Sequence, residues 1–185
     1  VNILFKAIGY KLINIKKDSQ AKVDVNFTID NRPPLKIALQ HLKNVQGKCI
    51  LRVNSRSVAE DIAIELIKLG TYSKDEILTL NSDNNIKNSK DYKNLISEGE
   101  FNKKKRLVLT TSIIDEGLSI EQEGFTDVVF IETEYNPMAE SLKQFYARFR
   151  NIDPNRKNYF YYRETNNQTI INYDPLYDFD KTKKK

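Results

Sequence analysis

A chain of 185 residues, 39% hydrophobic and 30% charged with a net charge of +5, holds one domain with a real core and leaves no room for several. It has no apolar run near the roughly 18 residues of a membrane span, no secretory pattern at its start, and one cysteine, Cys49, which excludes an internal disulfide. These features point to a cytoplasmic protein without membrane partners. The mild positive charge suits polyanion partners and equally suits a solvated lysine-rich surface.

The chain opens at Val1 and its single methionine is Met138, so a piece of a longer chain is expected. Residues 1–33 hold short alternating apolar runs and are expected to form a connector or extension with short strands. Within them Val23, Val25, Phe27 and Ile29 alternate with polar residues, which predicts a half-buried strand. Pro33 and Pro34 end it. Leu35, Ala38, Leu39 and Leu42 then recur at helical spacing, with Pro34 placed to open the helix. His41 falls on the solvent side of that predicted helix, without a partner pattern.

Lys48 to Val53 predicts a strand, with Cys49 packed in the sheet. Ser57 to Leu69 predicts a helix. Ser57 and Glu60 would form its capping box, Ile62, Leu66 and Leu69 its buried face, and Gly70 its stop. Ile77 to Leu80 is a short strand. Ser89 to Ile96 is a helix with Tyr92, Leu95 and Ile96 inward. Leu107 to Thr110 is a buried strand, and Asp127 to Ile131 another. Asn136 and Pro137 should cap and open a helix that runs to about Asn151, before Pro154. Tyr159 to Tyr162 is the last strand. Residues 166–185 read as a tail or linker stub.

Strands alternating with helices predict an α/β domain with a mostly parallel sheet flanked by helices. Ligands of such sheets bind outside the carboxyl ends of the strands. The loops after Val53, Thr110 and Ile131 are therefore the places to look, and three segments could carry chemistry. In the first, Asn54, Ser55 and Arg56 sit at the start of a helix, where its positive end suits a nucleic-acid phosphate. In the second, Thr110, Thr111 and Ser112 bring hydroxyls and backbone N–H groups, and Gly117 allows a tight turn. Asp115 and Glu116 offer a magnesium-binding pair as a rival reading, but the hydroxyl run before them and the lack of a phosphate loop argue against it. No cluster has metal-ligand spacing.

The third segment is Gln144-Phe145-Tyr146-Ala147-Arg148-Phe149-Arg150. Met138, Leu142, Phe145 and Phe149 form an apolar stripe at helical spacing. Gln144 and Arg148 are four apart and share one flank of it. Arg150 emerges on the other flank with Tyr146. No G-x-x-x-x-G-K-[ST] loop accompanies these arginines. The chain reads as the arginine-bearing half of a nucleotide-driven site.

In this order, the three segments resemble the second RecA-like domain of superfamily 2 helicases. Lys48–Leu66 resembles motif IV. Thr110–Ile120 resembles motif V, with Thr111 followed six residues later by Gly117. Gln144–Arg150 resembles motif VI in its Q-x-x-G-R-x-R form, with Ala147 in place of the glycine. The resemblance covers about residues 35–165 and implies a RecA-like three-layer domain over residues 34–165. It implies that Gln144 and Arg148 face ATP, with Arg148 the leading arginine finger and Arg150 the second arginine. It implies that Gly117 and Ser119 lie near the nucleotide, although many members carry an aspartate where Ser119 stands. It implies nucleic-acid contacts at Asn54, Ser55, Arg56, Thr110 and Thr111. The expected function is the C-terminal motor domain of an ATP-dependent DNA or RNA helicase or translocase. ATP and Mg2+ would be bound mainly by an N-terminal RecA-like domain of the same parent chain, and this chain alone would hydrolyse no ATP. The alternative is a non-catalytic binding module of the same shape.

Overall fold

The computed structural model describes residues 24–115, 118–132, 139–149 and 156–163. Its centre is a six-stranded sheet in the order β1-β6-β5-β2-β4-β3. The strands are β1 (Asn26–Ile29), β2 (Lys48–Val53), β3 (Ile77–Leu80), β4 (Leu107–Thr110), β5 (Phe125–Ile131) and β6 (Lys157–Tyr162). Every pairing among them is parallel. All six carboxyl ends therefore lie along one rim, where the loops after Val53, Thr110 and Ile131 were the expected places for a ligand. No helix among the described residues is long and apolar enough to cross a membrane.

Alternation along the strands divides the core between two faces. Cys49, Leu51 and Val53 of β2 and Leu107 and Leu109 of β4 face one way. There they meet Ile37, Ala38 and Leu42 of helix α1 (Pro34–Leu42) and Ala59, Ile62 and Leu66 of α2 (Arg56–Lys68). Ile50, Val108, Val128, Phe130 and Phe160 face the other way. They pack against Leu95 of α4 (Lys90–Glu98), which follows the short α3 (Asn84–Lys87), and against Phe145 and Tyr146 of α5 (Ala139–Tyr146). Strands fully covered on both faces read as continuous apolar runs, which is why β2 and β4 are so plain in the sequence.

Several expectations are corrected. The cap of α2 is Ser55, whose hydroxyl accepts from the Val58 N–H, rather than Ser57. The buried face of α2 ends at Leu66. Leu69 sits at the C-cap and is largely exposed, while Gly70 takes the left-handed conformation that closes the helix. In α4, Leu95 is buried and Ile96, about 100° further round the helix, points to solvent. Strand β1 was expected to be half-buried, yet Phe27 and Ile29 are exposed. It is an edge strand paired only with β6 among the described residues, within the segment expected to be a connector.

His41 is also not a surface residue. Its side chain is 8% exposed; Nδ1 lies 2.9 Å from the Tyr161 hydroxyl and Nε2 3.4 Å from the Asp127 carboxylate. The Asp127 carboxyl is held below its usual range by His41 and Thr126, against the opposing effect of burial, which is the largest single influence. The expected helix opening at Asn136 and Pro137 lies outside the described residues.

The Phe145 ring is fully buried and meets Phe130 and Phe149 edge-on, both at 5.7 Å between centroids. Phe145→Ala should destabilise the domain by about 3–5 kcal/mol, measured by urea unfolding. A loss below about 1 kcal/mol would mean that α5 does not anchor this face.

Candidate functional site at the carboxyl rim of the sheet

The rim is built where β2, β4 and β5 end side by side, since β5 and β4 flank β2. Arg52 is the next-to-last residue of β2. Its side chain enters the apolar face shared with Phe130, and the residue is 4% exposed. The guanidinium lies over the Phe130 ring at 4.1 Å, and its Nη1 is 2.9 Å from Asp115 Oδ2. Arg52 Nη2 donates to Asn54 Oδ1 at 3.4 Å, and Asn54 Nδ2 donates to Glu132 Oε1 at 2.6 Å. Burial pulls the Arg52 pKa below its ordinary value, while Asp115 and Glu132 push it back up. A buried arginine needs such partners, because an unpaired charge in the core is very costly.

Asp115 closes the 3-10 turn Ser112–Asp115 that follows β4. Its carboxylate turns inward to Arg52 rather than outward to a metal site. Its main-chain carbonyl accepts a hydrogen bond from Arg148 Nη2. The segments resembling motifs V and VI therefore meet through this one carbonyl. They meet again along the backbone: the Ile120 N–H donates to the Arg148 carbonyl at 2.7 Å, and Ile120 and Phe149 form a parallel bridge.

That bridge corrects the expected geometry of the arginine segment. Helix α5 ends at Tyr146 instead of about Asn151, and Ala147 and Arg148 form a turn. Gln144 is exposed on the last helical turn. Arg148 is half-buried just beyond the helix, and its Nε has no hydrogen-bond partner among the described residues. Phe145 and Phe149 are buried as the apolar stripe predicts. Tyr146 is buried too, its hydroxyl donating to the Tyr159 carbonyl at 2.6 Å, and burial pushes its pKa well up. Arg150 and Gly117 lie outside the described residues. Ser119 is half-buried, next to the bridging Ile120.

The expected nucleic-acid contacts are not equally available. Thr110 is fully buried and its hydroxyl donates to the Thr111 carbonyl, so its side chain does not reach the rim surface. Thr111 is half-buried, and its N–H is committed to the Leu80 carbonyl at 3.2 Å. The Asn54 carboxamide is engaged at both ends inside the domain. Ser55 caps α2 and shares a hydrogen bond with Ser57. Arg56 is exposed but bound to Glu60 at 2.8 Å and Asp83 at 2.9 Å. The Glu60 hydrogen bond and Asp83 raise its pKa.

Sequence reading missed Arg52 and Glu132 and weighed Asp115 only as a metal acid. One signal was present: an arginine inside the apolar run Cys49–Val53 demands an acid nearby, although it does not say which.

Comparison with solved structures now places this architecture. The chain matches the C-terminal domain of the DEAD-box protein Dbp5 with a TM-score of 0.54 at 16% identity, over 84% of both chains. It matches T. fusca Cas3 in a crystal structure with ADP, with a TM-score of 0.53 at 11% identity. The fold is that of a RecA-like helicase C-terminal domain. The match covers 84% of this chain and only 20% of the Cas3 chain, so this chain spans about a fifth of that protein. No family model and no curated protein matches the sequence.

Asn54→Ala removes the donor to Glu132, which is 7% exposed. It should cost about 1–3 kcal/mol in urea unfolding. An unchanged midpoint would show that Asn54 does not support the rim.

Proposed function

We propose that this chain is the C-terminal motor domain of an ATP-dependent nucleic-acid helicase or translocase. The observation that carries the reading is the junction of Arg148 with the Ser112–Asp115 turn. It joins Arg148, four residues after the exposed Gln144, to the turn after β4. The RecA-like fold supports the same reading.

In this proposal ATP lies between this rim and an N-terminal RecA-like domain of the parent chain. That domain supplies the phosphate loop and the acids that hold Mg2+. Arg148 is the leading finger and Gln144 its companion; Arg150, Gly117 and Ser119 complete the nucleotide side. Charge builds on the transferred phosphoryl oxygens, and an arginine held there contributes about 10³–10⁵ in rate. Water entry falls as the two domains close. The nucleic-acid grip is reduced to Thr111, Ser55 and Arg56, because the Thr110 and Asn54 side chains are used internally.

In the parent protein, Arg148→Ala should lower ATP turnover by about 10³-fold while leaving the unfolding midpoint of this domain nearly unchanged. Normal turnover would remove Arg148 from the finger role. Single-stranded nucleic acid should bind the parent with log affinity falling against log salt by about 0.7 per phosphate neutralised. Arg56→Ala should flatten that slope by about one phosphate contact. Salt-dependent binding without any ATPase activity in the parent would favour the non-catalytic module.

A further inference from the structure

We propose that Arg52 is a positioning residue for Arg148, acting through Asp115; the proposal rests on the finger reading of Arg148. The backbone of Arg148 is already fixed. Its carbonyl accepts from Ile120, its N–H donates to the Phe145 carbonyl at 3.1 Å, and its neighbour Phe149 is bridged to Ile120. What remains free is the direction of the side chain, and the Asp115 carbonyl sets it.

The orientation of that carbonyl depends on Arg52. Asp115 ends a single 3-10 turn that is anchored in the core by Ile113 and Ile114, and its own side chain is held by Arg52. The Arg52 ion pair pins the Asp115 carboxylate inward at 2.9 Å, leaving the peptide carbonyl toward Arg148. Arg52 is itself buried, its guanidinium beside both rings at 4.1 Å from the Phe130 centroid and 5.7 Å from the Phe145 centroid. Phe145 stands on the helix that delivers Arg148. One guanidinium thus senses both the turn and the helix end. A buried ion pair of this kind is a poor stabiliser, since well-packed apolar residues often replace it without loss. Its cost is better explained by orientation than by stability.

Arg148 Nη2 is spent on a main-chain carbonyl, and Nε is buried without a partner among the described residues. An unsatisfied donor of this sort is a small store of unfavourable energy. It favours a second acceptor beside the carbonyl, and a phosphate oxygen is one.

The test combines turnover in the parent protein with side-chain NMR of the chain described. Arg52→Met and Asp115→Asn should each lower kcat by about 10²-fold, with KM for ATP within about threefold. In an Arg148→Ala background neither should lower kcat further. Equal fold-losses in both backgrounds, or an unchanged kcat in both single variants, would overturn the proposal. Arg52→Lys, which keeps the charge, should recover part of the loss, and no recovery counts against orientation by the ion pair. If Arg52→Met unfolds, Asp115→Asn alone decides, because it keeps the peptide carbonyl and the side-chain volume.

Independently of activity, the Nε–H signal of Arg148, identified by its loss in Arg148→Ala, should shift in Asp115→Asn. An unmoved signal would defeat the positioning role. A shifted signal with normal turnover in Arg148→Ala would instead defeat the finger reading and leave the structural link standing.

Discussion

A guanidinium placed inside an apolar layer must bring its own counter-charges, and most of the rim is arranged around that requirement. Arg52 meets Asp115 after β4, Asn54 after β2 and, through Asn54, Glu132 after β5. Three strand ends that could otherwise move separately are tied by one side chain. The tie is polar, so it has direction, which packing of Val, Leu and Phe does not supply. The cost is desolvation of the charge, visible in the lowered Arg52 pKa. The benefit is a set of loops that hold one mutual geometry.

The parallel sheet makes this economy possible. Because every described pairing is parallel, the loops that follow the strands all leave from one side. The two helix layers then cover both faces and leave the rim as the place where polar groups can collect. Aromatic rings complete the arrangement from below. Phe130, Phe145 and Phe149 meet edge-on in series and hold the end of α5 against the strands. The short bridge between Ile120 and Phe149 gives that contact a backbone register, as a sheet would.

Much of this was legible beforehand, and the failures have physical causes. β2 and β4 announced themselves because burial on both faces leaves uninterrupted apolar runs. The Gly70 stop was readable because a positive φ favours one residue type. The end of α5 was not readable. Ala147 to Phe149 still fits helical spacing, and what stops the helix is a bridge to Ile120, far away in sequence. His41 misled for the same reason, since Tyr161 and Asp127 lie on strands that only the fold brings to it. For Thr110 and Asn54 the residue type suited phosphate, but type alone does not reveal that a hydroxyl or an amide is already spent. The likeness to helicase domains rested on segments in order, and the fold agrees; the roles of single side chains needed coordinates.

Cys49 has a practical consequence. It lies at the centre of the sheet with no exposed surface, and burial raises its thiol pKa well above the ordinary value. Thiolate is the reactive form, so the folded chain is inert to alkylating reagents. The native background is therefore silent. A cysteine introduced anywhere on the surface can carry a dye or spin label without competition, and slow modification of Cys49 itself becomes a clock for opening of the core.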